Sequence, residues 1–278
     1  MRNLTGVSWR KWILGVVAVV AMSWLGGCGT KSFDTDEYRG YSAQQLLVLG
    51  ENKTAKKEYE DAAKYFEALE AIYPFSPESR QGQLDMMFVD YQRDEYDLTR
   101  AAADRFIQLY PADKDVDYAY YLKGLSFLKR NHMLAKKFWH SGRHETLDSS
   151  GLIIAYHAFY DLVTRFPDSS YAADAVGRMR VIKSVLADHE LYLANFYWRR
   201  GAYVAAINRA LPVVRNFSTL PQAQEALEII EDSYRGLGLT EQAKRTRQLI
   251  RHNYGDKASS LKQVGKYGSA ERLKKYQK

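Results

Sequence analysis

Beyond about residue 42, apolar positions recur with the 3.6-residue period of a helix, and no stretch of any length alternates with the two-residue period of a strand. Short Pro, Gly and Asp-Ser stretches cut this pattern into segments of helical length. The segments repeat. Tyr59, Ala62 and the exit Ile72-Tyr73-Pro74 return as Tyr96, Thr99 and Leu109-Tyr110-Pro111, an offset of 37 residues. Near the other end, Gly201 and Ala206 return as Gly238 and Ala243 at the same offset of 37. Between the two sets lie Ala155, Phe159 and Arg165-Phe166-Pro167. Pro74, Pro111 and Pro167 close the second helix of their units, because proline lacks an amide hydrogen and clashes with the preceding turn.

Units of this kind resemble tetratricopeptide repeats, each a pair of antiparallel helices. Five are expected, over about 43–76, 80–113, 117–169, 187–218 and 224–254. The third carries an insertion of about 19 residues between its helices, Asn131 to Ser149, and a further helix over about Ser170 to Val185 precedes the fourth. Small residues fall where paired helices must touch: Gly50, Gly124 and Ala194 on first helices, Ala62, Ala155, Ala206 and Ala243 on second ones. Leu49, Phe66, Phe127, Phe159 and Tyr197 supply the bulk that fills the gaps between units. Met87, Glu231, Thr99 and Ser218 depart from the pattern. The expected fold is all-α, an α-solenoid whose curvature leaves a concave groove suited to extended peptides or partner domains.

The first 27 residues have a different character. Arg2, Arg10 and Lys11 precede a 14-residue run without charge, Trp12 to Leu25, and no acidic residue appears before Asp34. A basic start, a short apolar run and small residues make a cleaved signal peptide, whereas a spanning helix needs about 20 apolar residues. Leu25-Gly26-Gly27-Cys28 resembles a bacterial lipoprotein box, which implies that Cys28 is the lipid attachment point and the first residue of the mature chain. Gly29 stands where an inner-membrane retention signal would carry Asp, so the resemblance implies transfer to the outer membrane, with the protein anchored on its periplasmic face. Two or more acyl chains hold a protein there stably.

Removing residues 1–27 takes away three positive charges and no negative ones, so the formal balance falls from +7 to +4. That balance and an exported location argue against nucleic acid as a partner. Cys28 is the only cysteine, which excludes an internal disulfide framework. No phosphate loop, nucleophile elbow or dinucleotide fingerprint is present, and the reading is a non-enzyme without a cofactor. His132, His140 and His144 in the insertion have partial metal-ligand spacing, but Ser141-Gly142 interrupts any helix there, and a polar surface loop is the simpler reading with no metal. His157, His189 and His252 lie singly, and Glu67 with Glu70 and Glu228 with Glu231 read as solvated helix faces. Tyr73-Pro-Phe-Ser-Pro77 and Lys136-Lys-Phe-Trp139 place aromatics where recognition by stacking and cation–π contact is possible. Residues 256–278 form a basic tail, read as solvated and frayed.

A lipoprotein signal followed by such repeats is similar to the BamD family, lipoproteins of the outer-membrane β-barrel assembly machine. The segments that carry the resemblance are Leu69-Glu70-Ala71 with Tyr73-Pro74-Phe75-Ser76-Pro77, Asp104 to Pro111, Asp117 to Gly124, and Arg200 to Arg209. The resemblance implies a scaffold that supports barrel assembly and insertion. It implies a 28–42 lipidated linker and N-terminal repeats, 43–169, forming a groove for the C-terminal signal of unfolded outer-membrane proteins, with Tyr73, Pro74 and Phe75 at its edge. It implies C-terminal repeats, 170–255, that dock on the periplasmic domain of BamA through Arg200 and Arg209, since arginine's planar fork meets carboxylates bidentately. Accessory lipoproteins such as BamE and BamC are implied as further partners. The competing reading is a repeat lipoprotein of type IV pilus secretin assembly or cell-wall synthesis, which would favour units 34 residues apart and no long insertion.

Overall fold

A computed structural model of the chain describes residues 35–139 and 149–255, apart from the side chains of 129–139. After a short 3-10 turn over Asp36–Tyr38, ten helices follow among the described residues: α1 Ala43–Ala55, α2 Tyr59–Ile72, α3 Pro77–Gln92, α4 Tyr96–Leu109, α5 Val116–Trp139, α6 Ser149–Arg165, α7 Ala172–Arg199, α8 Tyr203–Asn216, α9 Gln222–Gly236 and α10 Thr240–Tyr254. They contain no strand. Each helix packs on the next within its pair, and α1 also packs on α3 and α3 on α5, the stacking of a helical-repeat solenoid.

Two turn types recur and account for the regularity. Within a pair, the amides of Glu58, Glu95, Ala202 and Leu239 donate to the carbonyls of Lys53, Asp90, Tyr197 and Tyr234, five residues back, at 2.9–3.1 Å. This is the Schellman closure of a helix end, and it needs one left-handed residue. That residue is Lys57, Asp94, Gly201 or Gly238, with φ between 62 and 73°. Between pairs, an aromatic residue caps the outgoing helix: Tyr73, Tyr110, Phe166 and Phe217 accept from the amide three residues on, at 2.9–3.1 Å. These four rings pack against the core clusters beside them. At the entries, Ser42 and Gln45 form a capping box on α1, and Ser76 followed by Pro77 starts α3.

The repeat position at which paired helices touch shows how size is matched across each pair. Gly50 of α1 receives the ring of Phe66, and Gly124 of α5 receives that of Phe159, where an added Cβ would come within 2.6 Å of the ring. In the second pair the sizes are reversed: Met87 and Ala103, the equivalent positions, are both buried in one cluster. In the fourth pair Ala194 and Ala210 are both small and both buried. In the fifth pair the position is ionic, with Glu231 Oε2 2.9 Å from Arg247 Nε. Met87 and Glu231 therefore keep the contact and change its chemistry. Glu228 and Glu231 are buried, 6% and 3% exposed, and do not form the solvated face read from their spacing.

Two expectations about helix boundaries change. α5 continues through Asn131 to Trp139, so the first half of the insertion extends a helix. Residues 140–148, with His140 and His144, lie outside the described residues. The extra helix ahead of the fourth unit and that unit's first helix are one 28-residue helix, α7. Nothing between Arg178 and Arg199 is Gly or Pro, so no residue there ends it. Ala172, Ala175 and Ile182 of α7 belong to the core shared with α3–α6, while Ala187, Leu191 and Ala194 belong to the core of α8 and α9.

Candidate functional site

The structure separates the residues of Tyr73-Pro74-Phe75 that sequence reading groups together. Tyr73 belongs to the repeating turn: its ring packs on the first core cluster and its hydroxyl donates to the Tyr41 carbonyl at 2.8 Å. Phe75 has no counterpart of its kind, since Ala112, Asp168 and Thr219 occupy the equivalent positions. Its side chain is 100% exposed, beside an exposed Pro74. Phe75 stands on a short turn between two prolines, where Pro74, the Ser76 cap and Pro77 restrict the backbone.

Arg200 and Arg209 lie on the α7–α8 pair. Arg200 ends α7, with its guanidinium 3.5 Å from the centre of the Phe196 ring and no carboxylate partner among the described residues. Arg209, midway along α8, reaches Glu190 of α7 at 3.5 Å and keeps 47% of its side chain exposed. The segment around Arg200 has a structural logic of its own. Gly201 supplies the left-handed turn residue, and Tyr203 presses its ring on Gly236 so closely that a Cβ there would overlap it. That contact joins the turn of the fourth pair to the turn of the fifth. Arg200 and Val204 (60% exposed) lie within three residues of Gly201 on the first of these turns, and the exposed Leu237 and Leu239 flank Gly238 on the second.

Behind these turns the last units are held by polar contacts. Trp198 Nε1 donates to Asp232 Oδ2 at 2.7 Å, Asn195 to Glu225 at 3.0 Å, and Gln222 to both Ser184 and Asp188 at 3.0 Å. Glu231 also pairs with Arg235. Burial pushes the Glu228 carboxyl up, with Gln224 as its hydrogen-bond donor. His189 is half-buried and its pKa is lowered by burial, whereas His157 and His252 are exposed. Cys28 lies outside the described residues, as do Lys257 and the rest of the tail.

Sequence reading missed Asp85. It sits on α3 with its carboxyl pushed up to about 6, first by burial and then by Glu51. Only its partial burial distinguishes it, and no motif contains it. Charge is also unevenly distributed along the stack. Residues 35–115 carry 17 acidic against 10 basic side chains, and residues 171–255 carry 8 acidic against 12 basic.

Paired helices stacked in register, with an exposed aromatic at one end and exposed cations at the other, define a protein of tetratricopeptide-type repeats. A family profile described as outer membrane lipoprotein, YfiO, matches residues 40–249. The chain belongs to this family, that of the outer membrane protein assembly factor BamD. It is 35% identical over 252 residues to that factor of Neisseria meningitidis serogroup A, covering 88% of this chain and 91% of the other. It is 33% identical to the Pasteurella multocida factor (76% and 81% covered) and 32% identical to the Vibrio cholerae factor (84% and 96% covered). Among solved structures, a putative kinesin light chain of Podosopora anserina with TPR-like repeats aligns with 75% of this chain and 93% of that one. At 9% identity and a TM-score of 0.35, it does not bear on the fold. Among the described residues no helix is long and apolar enough to cross a membrane.

Proposed function

We propose that this chain is an outer membrane protein assembly factor, a non-enzymatic scaffold held on the periplasmic face of the outer membrane by acyl chains on Cys28. On this reading the C-terminal repeats, 170–255, bind the periplasmic domain of BamA. The N-terminal repeats, 43–169, receive unfolded outer-membrane proteins, with Phe75 as the contact residue and Tyr73 and Pro74 as the frame that presents it. Accessory lipoproteins such as BamE and BamC complete the assembly. No cofactor enters.

The observation that carries the reading is the exposure of Arg200, Val204, Leu237 and Leu239 on two turns joined by Tyr203 and Gly236, supported by the names of relatives matched over nearly their whole length. Exposed apolar side chains beside an unpaired cation suit a partner that brings an acidic side chain into a desolvated contact. A guanidinium already stacked on Phe196 has lost little freedom in waiting for it.

Co-purification with BamA from solubilised membranes tests the interface. Arg200→Glu reverses a charge that has no carboxylate partner among the described residues, and Arg209→Glu also exchanges the Glu190 pair for a repulsion of at most about 1 kcal/mol, so the melting temperature should move little while BamA recovery falls at least about tenfold, the loss expected when a charged contact becomes repulsive. Undiminished BamA recovery with both variants would remove the interface assignment.

A further inference from the structure

The last described helix, α10, buries Ala243 and Ile250 and ties Arg247 to Glu231 of α9. Its far side is open among the described residues. Two adjacent rows run along it at helical spacing, Lys244-Gln248-Arg251 and Arg245-Leu249-His252, and all six side chains are exposed. The helix carries Lys244, Arg245, Arg247 and Arg251 against a single carboxylate, Glu241. Glu241 pairs with Lys244 at 3.0 Å, but the two side chains are 70% and 67% exposed, so water holds both nearly as well as they hold each other. Past the helix the cations continue. Residues 256–278 add Lys257, Lys262, Lys266, Arg272, Lys274, Lys275 and Lys278 against Asp256 and Glu271.

The outer face of a terminal repeat must be polar to remain in water, but solubility asks for no particular sign. The helix at the opposite end, α1, meets that need with one charge of each sign, Glu51 and Lys53. A face of one sign is different, above all when it surrounds an exposed leucine and leads into a basic segment. It matches a bilayer surface that holds anionic headgroups, where cations gather at the surface and an apolar side chain enters the boundary. A folded acidic partner would instead select cations held in a fixed geometry. Arg200 is held so on the Phe196 ring, whereas Arg245 has no ion pair or ring contact among the described residues. The tether adds to this. From Cys28 to Ser42 the chain spans at most about 50 Å, so a protein anchored at Cys28 stays near the headgroups and individually weak contacts suffice.

We propose that the exposed face of α10, with Arg245 and Leu249 at its centre, rests on the anionic headgroups of the leaflet that holds the anchor, and that the basic segment 256–278 extends the contact. The proposal rests on the reading that acyl chains on Cys28 hold the chain at a membrane. To that anchor it adds a second, electrostatic attachment at the other end of the chain.

The test uses the full-length acylated chain carrying Gln248→Cys. Cys28 is the only natural cysteine and is acylated, so a fluorophore reacts at position 248 alone. The labelled chain is reconstituted on vesicles of phosphatidylcholine, with or without about one part in three of phosphatidylglycerol, each containing a headgroup nitroxide lipid that quenches only at short range. Flotation with the vesicles reports the anchor, and quenching reports contact of α10. The ratio of quenched to unquenched fluorophore should be at least about tenfold higher on the anionic vesicles, and in about 1 M salt that excess should vanish. Lys244→Gln with Arg245→Glu should lower it at least about tenfold at an unchanged melting temperature, and Lys257→Gln with Lys262→Gln should lower it about fivefold or more. Equal quenching on both kinds of vesicle, or full quenching in the folded Lys244→Gln, Arg245→Glu variant, would overturn the contact and leave the anchor in place. Quenching that arises only when BamA is added would overturn it in favour of a protein partner. A chain that floats with neither vesicle removes both the contact and the anchor.

Discussion

Asp85 is held against its own chemistry. Its carboxyl is pushed up to about 6, because burial penalises the charged form. A carboxyl whose folded pKa is raised favours the folded state while it is protonated. Its stabilising effect is thus complete below the ordinary value of 3.8, declines as pH rises through about 6, and is absent at pH 7.5. Asp85→Asn removes the charge and keeps the shape. The variant should melt higher than wild type at pH 7.5, by on the order of 1–2 kcal/mol after allowing for partial solvent access, and the gain should vanish near pH 4. A gain equal at both pH values would show that the carboxyl's ionisation is not its cause. At this scale the sequence was a poor guide. Glu228 and Glu231 have the spacing of a solvated pair, yet Glu231 is buried where Arg247 of the next helix reaches it. Nothing within α9 announces a partner supplied by α10. Phe75 and Tyr73 were equally indistinguishable, because only the recurrence of an aromatic cap at Tyr110, Phe166 and Phe217 assigns Tyr73 to packing.

At the scale of elements the sequence was far more legible. The 37-residue offset predicts the helix pairs, and the small residues at Gly50 and Gly124 mark where their helices touch, since a ring of the partner helix occupies the space of their missing side chains. Met87 looked like a departure because a small residue was expected on both helices of a pair, whereas the contact sets bulk on one helix against a small residue on the other, as in the pair Met87 and Ala103. The continuity of α7 was not read for a related reason: a repeat pattern marks where units begin, and an unbroken helical period can run through such a boundary. The close approach at Gly124 gives a direct check. Gly124→Ala places a Cβ about 2.6 Å from the Phe159 ring, which is itself fully buried. Overpacking of this kind costs about 1–3 kcal/mol, and Phe159→Leu should restore part of it. Gly40→Ala, with nothing within 4 Å of the added Cβ, should change the midpoint of denaturant unfolding by less than about 0.5 kcal/mol. Equal effects at Gly124 and Gly40 would contradict the assigned contact.

At the scale of the whole molecule, two unlike ends are joined by one helix. The acidic first units carry Phe75, the basic last units carry Arg200, and α7 contributes to the cores on both sides. A chain arranged in this way can hold one partner at each end at a fixed separation, which is what an assembly scaffold requires. The decisive measurement is the identity of what accompanies this chain. Purified in its acylated form from mildly solubilised outer membranes and analysed by mass spectrometry, it should bring BamA with it in near-stoichiometric amount. Recovery of a pilus secretin in the absence of BamA would contradict the account.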